Sequence, residues 1–221
     1  MIVLGRERFK LEGYGIVPYT MKTYSGKQKS YEVLMNMSRH TKVPAIAFVG
    51  KQNSGKTVLL EKLVAALSDK SIRVATIKHH SHAGFEFDIK GKDSWRHRQA
   101  GSMQTIIVAP DQIASVRKLT KEIEVKQVIE TMLFESAVYD EKPNIILVEG
   151  YRYGGLPTVE LFRADNPNDA DRNLGAEGND VVAVVTDIER VAVQAAGAGL
   201  PVFGFEDITA ICDFLTKTYM D

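Results

Sequence analysis

The sequence predicts an α/β protein: a largely parallel sheet flanked by helices, preceded by a β-rich arm. Three observations predict it. From residue 44 onward, short apolar runs alternate with segments of helical period. A glycine-rich polar loop at residues 50–55 separates the first run from the first amphipathic segment. Charge also divides along the chain, with eight Lys/Arg against three Asp/Glu in residues 1–43 and 20 against 25 in residues 44–221. Residues 1–43 are therefore assigned to the arm and residues 44–221 to the body. A length of 221 residues with 44% hydrophobic and 25% charged side chains suits one domain with an appendage.

Within the arm, residues 8–14 and 30–35 read as strands on either side of a turn at residues 24–27. The body opens with residues 45–49, a continuous apolar run of the kind that is buried on both faces of a sheet. Leu59, Leu60, Leu63, Val64 and Leu67 then recur at helical spacing, which predicts a helix over residues 57–67. Residues 72–77 form the second strand. A short helix over 93–100 follows, with Asp93 as its N-cap and Gly101 as its stop. The third apolar strand is 105–109, followed by a short strand at 113–116 and a helix over 121–139. Residues 144–148 are apolar again, 158–162 alternate, 181–185 form a buried run, and 202–205 with a helix over 207–217 close the chain. The polar, turn-rich stretch 165–180 reads as a surface loop.

Composition excludes several functions. A net charge of +0 argues against general nucleic-acid binding. No apolar run approaches the roughly 20 residues of a membrane helix, so no membrane association is expected. The first ten residues lack the apolar stretch of an export signal. A single cysteine, Cys212, fits a reducing cytoplasm.

The chemistry lies in the loop Gly50-Lys51-Gln52-Asn53-Ser54-Gly55-Lys56-Thr57, which fits G-x-x-x-x-G-K-[ST] and sits between a buried strand and a helix. In that setting the body becomes a P-loop NTPase-like fold. Backbone amides of Gly50, Asn53, Ser54, Gly55 and the first helical residues through Val58 converge on phosphate oxygens. Lys56 places a cation over the β- and γ-phosphates, and Thr57 supplies an oxygen to Mg²⁺. The run Asn144-Ile145-Ile146-Leu147-Val148-Glu149-Gly150 ends a second strand in an acid, so Glu149 is the other candidate for the Mg²⁺ shell. Lys51 reads as a solvated lysine; the alternative is a phosphate contact across a dimer interface. The histidines at 79, 80 and 82 lie at no familiar zinc spacing. Their loop reads better as a segment that responds to the γ-phosphate.

The combination of GKQNSGKT, IKHH, FDIKGKDSWRHRQAG, ILVEGYR and VELFR resembles the molybdopterin-guanine dinucleotide biosynthesis protein B family, from about residue 43 to 215. The resemblance implies a homodimeric, weakly hydrolytic GTP-binding protein. Such a protein assists guanine nucleotide attachment to molybdopterin beside the pathway's guanylyltransferase. It implies that Asn53 to Thr57 hold phosphates and that Asp88 and Glu149 contribute to the Mg²⁺ shell, with Asp88 also orienting the attacking water. Thr186 and Asp187 fall where the family places the base, and Asp187 suits the N1–H and 2-amino donors of guanine. Helix N-capping is the alternative for Asp187. His79, His80, Lys90, Lys92 and Arg96 become candidates for molybdopterin or a partner, with a solvated helix face as the alternative. Two other functions stay open at this point, a P-loop small-metabolite kinase and a nucleotide-gated scaffold that does not require hydrolysis.

Overall fold

The computed structural model describes residues 43–80, 82, 84–139, 141–176 and 180–220. The arm at 1–42, with its expected strands, lies outside the described residues. In chain order the elements are β1 (Ala45–Val49), α1 (Lys56–Asp69), β2 (Val74–Lys78), α2 (Asp93–Gln99), β3 (Gln104–Val108), β4 (Ile113–Arg117) and α3 (Val125–Val138). There follow β5 (Ile145–Glu149), β6 (Thr158–Phe162), a 3-10 turn (Pro167–Asp169), β7 (Val181–Thr186), α4 (Glu189–Gly197), β8 (Val202–Phe203) and α5 (Ile208–Tyr219). Six strands form one parallel sheet in the order β2-β5-β1-β6-β7-β8. All six carboxyl ends therefore meet at one edge, where ligands of open α/β sheets bind.

Side chains alternate across the central strands. Ile46 and Phe48 of β1 face α1 and α5, packing with Leu59, Leu63, Leu67, Ile211 and Leu215. Ala47 and Val49 face the other way, against Ile146, Val148 and the α3 residues Val125, Val128 and Ile129. On that same face α4 covers Phe162 and Val184 with Val191 and Ala195. The result is a sheet sandwiched between two helical layers. Among the described residues, no helix is long and apolar enough to cross a membrane.

Three expectations need correction. The apolar run at 104–108 does not join the main sheet but pairs antiparallel with β4. Only four residues separate the two strands, too few for the crossover that parallel neighbours require. Its apolar side chains stay outside: Ile106 is 53% and Val108 73% exposed. The second correction concerns the alternating strand, β6, which is buried along its whole length, Glu160 included. What covers it is the third. The stretch 165–180 is no mere surface loop, because Asn166, Asp169 and Arg172 are buried, and Gly175 N–H donates to Glu160 Oε2 at 2.7 Å.

Element ends also shift for local reasons. The helix α3 starts at Val125 because Gln127 Oε1 accepts the Glu124 N–H at 3.2 Å, closing a capping box. The N-cap of α2 is Lys92, with Asp93 already inside the first turn.

Leu63 is wholly buried between α1 and the sheet. Leu63→Ala should cost about 2–5 kcal/mol. Val193→Ala, on the exposed side of α4, should stay within roughly 0.5 kcal/mol. Urea unfolding followed by circular dichroism checks both.

Candidate functional site

The phosphate-loop motif leaves β1 at the carboxyl edge and runs directly into α1. Gly50 is required there because a Cβ would stand 2.9 Å from the Leu161 carbonyl oxygen. Gly55 adopts φ +80° and stands where a Cβ would come 3.2 Å from Phe205. Asn53, at φ 67°, takes the left-handed region that Asn tolerates best among side-chain-bearing residues.

The loop is fastened from beneath. Ser54 is fully buried, and its hydroxyl lies 2.8 Å from the Lys51 carbonyl and 2.9 Å from Asp169 Oδ2. The side chain of Ser54 thus serves the loop's shape and points into the protein. Asp169 Oδ2 also accepts from Arg163 N–H at 3.1 Å and Asn166 Nδ2 at 2.8 Å. Asn166 Nδ2 reaches the Gln52 carbonyl at 3.0 Å. Arg172 lies 3.2 Å from Asp169 Oδ1 through Nε, donates to the Leu161 carbonyl through Nη2, and sits 3.8 Å over the Phe162 ring. A buried charge is tolerated when paired and hydrogen-bonded on several sides.

Above the loop, Lys56 Nζ donates to the carbonyls of Gly50 at 3.0 Å and Lys51 at 2.6 Å. Burial lowers the pKa of its ammonium, against the raising effect of Glu149 and Asp169. This is a cation held close over the loop's own backbone. Beside it, Thr57 Oγ1 donates to Glu149 Oε1 at 3.0 Å. The ammonium of Lys78 lies 3.4 Å from Thr57 Oγ1 and 3.2 Å from Glu149 Oε1. A positive group therefore already sits beside the hydroxyl and the carboxylate, the two hard oxygen donors that Mg²⁺ favours.

The remaining candidates fall into separate groups. His79 adjoins this edge: its N–H donates to the Glu149 carbonyl at 2.9 Å, and its ring lies 4.3 Å from that of Tyr151. Its Nε2 is 2.7 Å from Glu122 Oε1. His80 turns back on its own loop, with Nδ1 2.9 Å from the His82 carbonyl. Asp88 makes no hydrogen bond to Thr57 or Lys56; it accepts from Ile89 N–H and lies 3.8 Å from Arg98 Nε. Arg98 folds onto this loop, 3.0 Å from Glu86 and 3.8 Å from Asp88. Lys90 and Lys92 are exposed, and exposed Arg96 pairs loosely with Asp93 at 3.9 Å. Among the described residues, no group of three or more His, Cys, Asp or Glu could hold a metal.

On the opposite side of the loop, Val58 is 57% exposed and borders a cleft shared with Asn53 and Gly55. Asp187 stands at the end of β7 nearby, but it does not cap α4, whose N-cap is Ile188. Its Oδ1 accepts from Ala164 N–H at 2.6 Å and its Oδ2 lies 3.4 Å from Arg163 Nε. Thr186 is buried, its hydroxyl accepting from Ile188 N–H at 3.0 Å.

Sequence reasoning missed Lys78, Arg163, Asn166, Asp169 and Arg172. Lys78 carried a usable signal, since it directly follows the run 72–77 at the carboxyl end of an expected strand. Asp169 carried none, being 115 residues from Ser54 in a stretch that reads as solvent-facing.

Residues 45–187 match the family described as molybdopterin guanine dinucleotide synthesis protein B. The chain is 29% identical over 181 residues to the molybdopterin-guanine dinucleotide biosynthesis adapter protein of Escherichia coli (strain K12), covering 82% of this chain and 96% of that protein. It is 34% identical over 126 residues to the adapter protein of Haemophilus influenzae, covering 57% of this chain and 67% of that protein. The crystal structure of Bacillus subtilis MobB aligns with a TM-score of 0.62 at 22% identity, covering 79% of this chain and 96% of that one. That likeness is one of fold, a mostly parallel sheet flanked by helices.

Removing the Asp169 carboxylate would take from buried Arg172 its nearer counter-charge, leaving Glu160 at 4.0 Å, and from the Ser54 hydroxyl one of its two acceptors. Asp169→Ala should therefore cost about 3–5 kcal/mol. Asp171→Ala, at an exposed neighbour, should cost little. Chemical denaturation of the two variants beside the parent protein checks the contrast.

Proposed function

This chain belongs to the molybdopterin guanine dinucleotide synthesis protein B family, and we propose that it is a GTP-binding adapter whose phosphate loop holds the nucleotide. The coarser part, an adapter's role in molybdopterin guanine dinucleotide synthesis, is common to the relatives that it matches. The observation that carries the finer part is the state of Lys56. Its ammonium is half-buried over the carbonyls of Gly50 and Lys51, and burial lowers its pKa. A triphosphate on the loop would supply negative charge at that position.

In this reading the amides of Gly50 and Asn53 through Val58 take the phosphate oxygens, and Thr57 and Glu149 hold Mg²⁺. The ion supplies charge stabilisation at the phosphoryl oxygens. Lys78, displaced from the pair that it now bridges, would turn toward the phosphates. Asp88 lies 3.8 Å from Arg98 Nε within its own loop, which suits a GTPase activity that is weak. The γ-phosphate would act on the segment from His79 to Lys92 through the His79 N–H bond to the Glu149 carbonyl. That segment carries the exposed Lys90 and Lys92, with Arg96 just beyond. These cations suit the phosphate of molybdopterin or an acidic surface of the guanylyltransferase. The hairpin exposes Ile106, Val108 and Ile113 together, the kind of apolar patch that marks an interaction surface, and is the proposed homodimer contact. A cytoplasmic setting completes the reading.

Calorimetric titration with GTP, ATP and GDP in Mg²⁺ tests it. GTP should bind more tightly than ATP, Lys56→Ala should abolish binding, and Asp187→Ala should narrow the difference between GTP and ATP. Equal affinities in the parent protein would remove the guanine assignment.

A pH dependence follows as well. A lowered folded-state pKa means that Lys56 is charged, at a cost to stability, below that pKa. The cost disappears as pH rises toward the ordinary value of 10.5. Bound triphosphate should raise the pKa again. Titrations between the lowered pKa and 10.5 should therefore show proton uptake on binding, read from the dependence of the heat on buffer ionisation enthalpy. Proton release in that window would contradict the assignment.

A further inference from the structure

The helix α3 buries apolar side chains on one side and shows more of them on the other. Val128, Ile129, Met132 and Leu133 pack toward the sheet. The outer side is not the polar face that a surface helix presents to water. Phe134 and Val138, one turn apart, are 42% and 59% exposed, and Tyr139 beside them is 53% exposed. Acids frame this stripe: Glu130 one turn before Phe134, Glu135 next to it and Glu141 just past the helix end, all exposed. Among the described residues none of these three carboxylates has an ion-pair partner. An apolar stripe between such acids suits a partner that is itself apolar and basic.

The point where the chain enters the body supplies one. Val43, the first described residue, packs in the same layer as α3. After α3 the chain returns to the amino edge of the sheet, where Asn144 N–H donates to the Arg73 carbonyl and Ile146 N–H to the Pro44 carbonyl. The last turn of α3 and the entry of residues 1–42 thus share one edge and one layer. The helix has 14 residues and is about 21 Å long, a length that about seven extended residues span. Residues 27–42 hold Lys27, Lys29, Arg39 and Lys42 against one acid, Glu32. Tyr31, Val33 and Met35 alternate within the expected strand 30–35, as Phe9 and Leu11 do within 8–14. A two-stranded ribbon of this kind is marginal alone and becomes stable when its apolar face packs on a helix. The family match begins at residue 45, so the arm lies outside it.

We propose that the outer stripe of α3 is a docking face for the chain's own basic arm. The apolar side of strand 30–35 would lie on Phe134, Val138 and Tyr139, with the arm's lysines beside Glu130, Glu135 and Glu141. The face adjoins the amino edge of the sheet, at the opposite end from the phosphate loop, so the proposal is independent of nucleotide binding.

Carbodiimide cross-linking, which joins lysine amines to carboxylates in contact, tests it on an equal mixture of ordinary and isotopically heavy full-length protein. Lys27, Lys29 or Lys42 should join Glu130, Glu135 or Glu141, and each linked pair of peptides should carry a single isotope. Links of mixed isotope would seat a second copy on the face and overturn the proposal. Arm lysines that join only acids elsewhere, or none, would do the same. Trypsin gives a second readout, because cleavage after Lys27 and Lys29 tracks how often the arm leaves its seat. Phe134→Ser with Val138→Ser should speed that cleavage roughly tenfold or more, since two apolar side chains lose their cover. Val193→Ser, on the exposed side of α4, should leave it unchanged. Glu130→Lys with Glu135→Lys, which touches no packed group, should also speed it, with thermal melts as the check on folding. A parental rate in either folded double variant would overturn the proposal.

Discussion

A loop that presents its amides to a ligand cannot spend them all on holding itself in shape. Here the Ser54 N–H is spent in that way, on the Lys51 carbonyl at 3.2 Å, and most of the holding is done from behind, by the Asp169 carboxylate. Its Oδ2 takes Ser54 Oγ, Asn166 Nδ2 and the Arg163 N–H within 3.1 Å, all on the protein side of the loop. Asn166 extends the grip to the Gln52 carbonyl. The arrangement requires a buried negative charge, which in turn requires Arg172 beneath it, fixed by the Leu161 carbonyl and the Phe162 ring. Shape is therefore set by groups that no ligand has to displace, the kind of preorganisation that favours tight binding.

The parallel sheet then divides the edge into two ends. β5 and β2 bring Glu149 and Lys78 to Thr57, and β6 and β7 bring Arg163 and Asp187 to the side of Gly55. Because all strands point the same way, both groups arrive on one edge without any long excursion of the chain. Lys56 lies between them, its ammonium on the carbonyls of Gly50 and Lys51. In the proposed reading this is the position from which it would move to a phosphate. Arg163 links the two levels of the design: its backbone N–H serves Asp169 and its side chain serves Asp187.

The parts of the fold legible in the sequence were those written in local periodicity. Residues 45–49 and 145–148 announce strands buried on both faces, and Leu59, Leu63 and Leu67 announce the packed side of α1. The phosphate loop was legible because its glycines answer to local backbone demands. What was hidden depends on tertiary partners. The run at 104–108 looks like an interior strand, yet a four-residue link forces it into a hairpin with its apolar groups outside. The stretch 165–180 looks solvent-facing because its residues are polar. Asp169 and Arg172 are buried as partners of each other, with Glu160 Oε1 4.0 Å from Arg172 Nη2. Asp88 depends on its surroundings in the same way: the resemblance implies a place in the Mg²⁺ shell, and in the fold its Oδ2 lies 3.8 Å from Arg98 Nε.

The most direct measurement is a crystal structure of the protein with a non-hydrolysable GTP analogue and Mg²⁺. The account predicts that Lys56 Nζ leaves the Gly50 and Lys51 carbonyls for phosphate oxygens and that the metal sits by Thr57 and Glu149, while the Asp169 contacts to Ser54 and Asn166 stay as they are. A nucleotide bound elsewhere, or Lys56 still on those carbonyls with the analogue present, would contradict it.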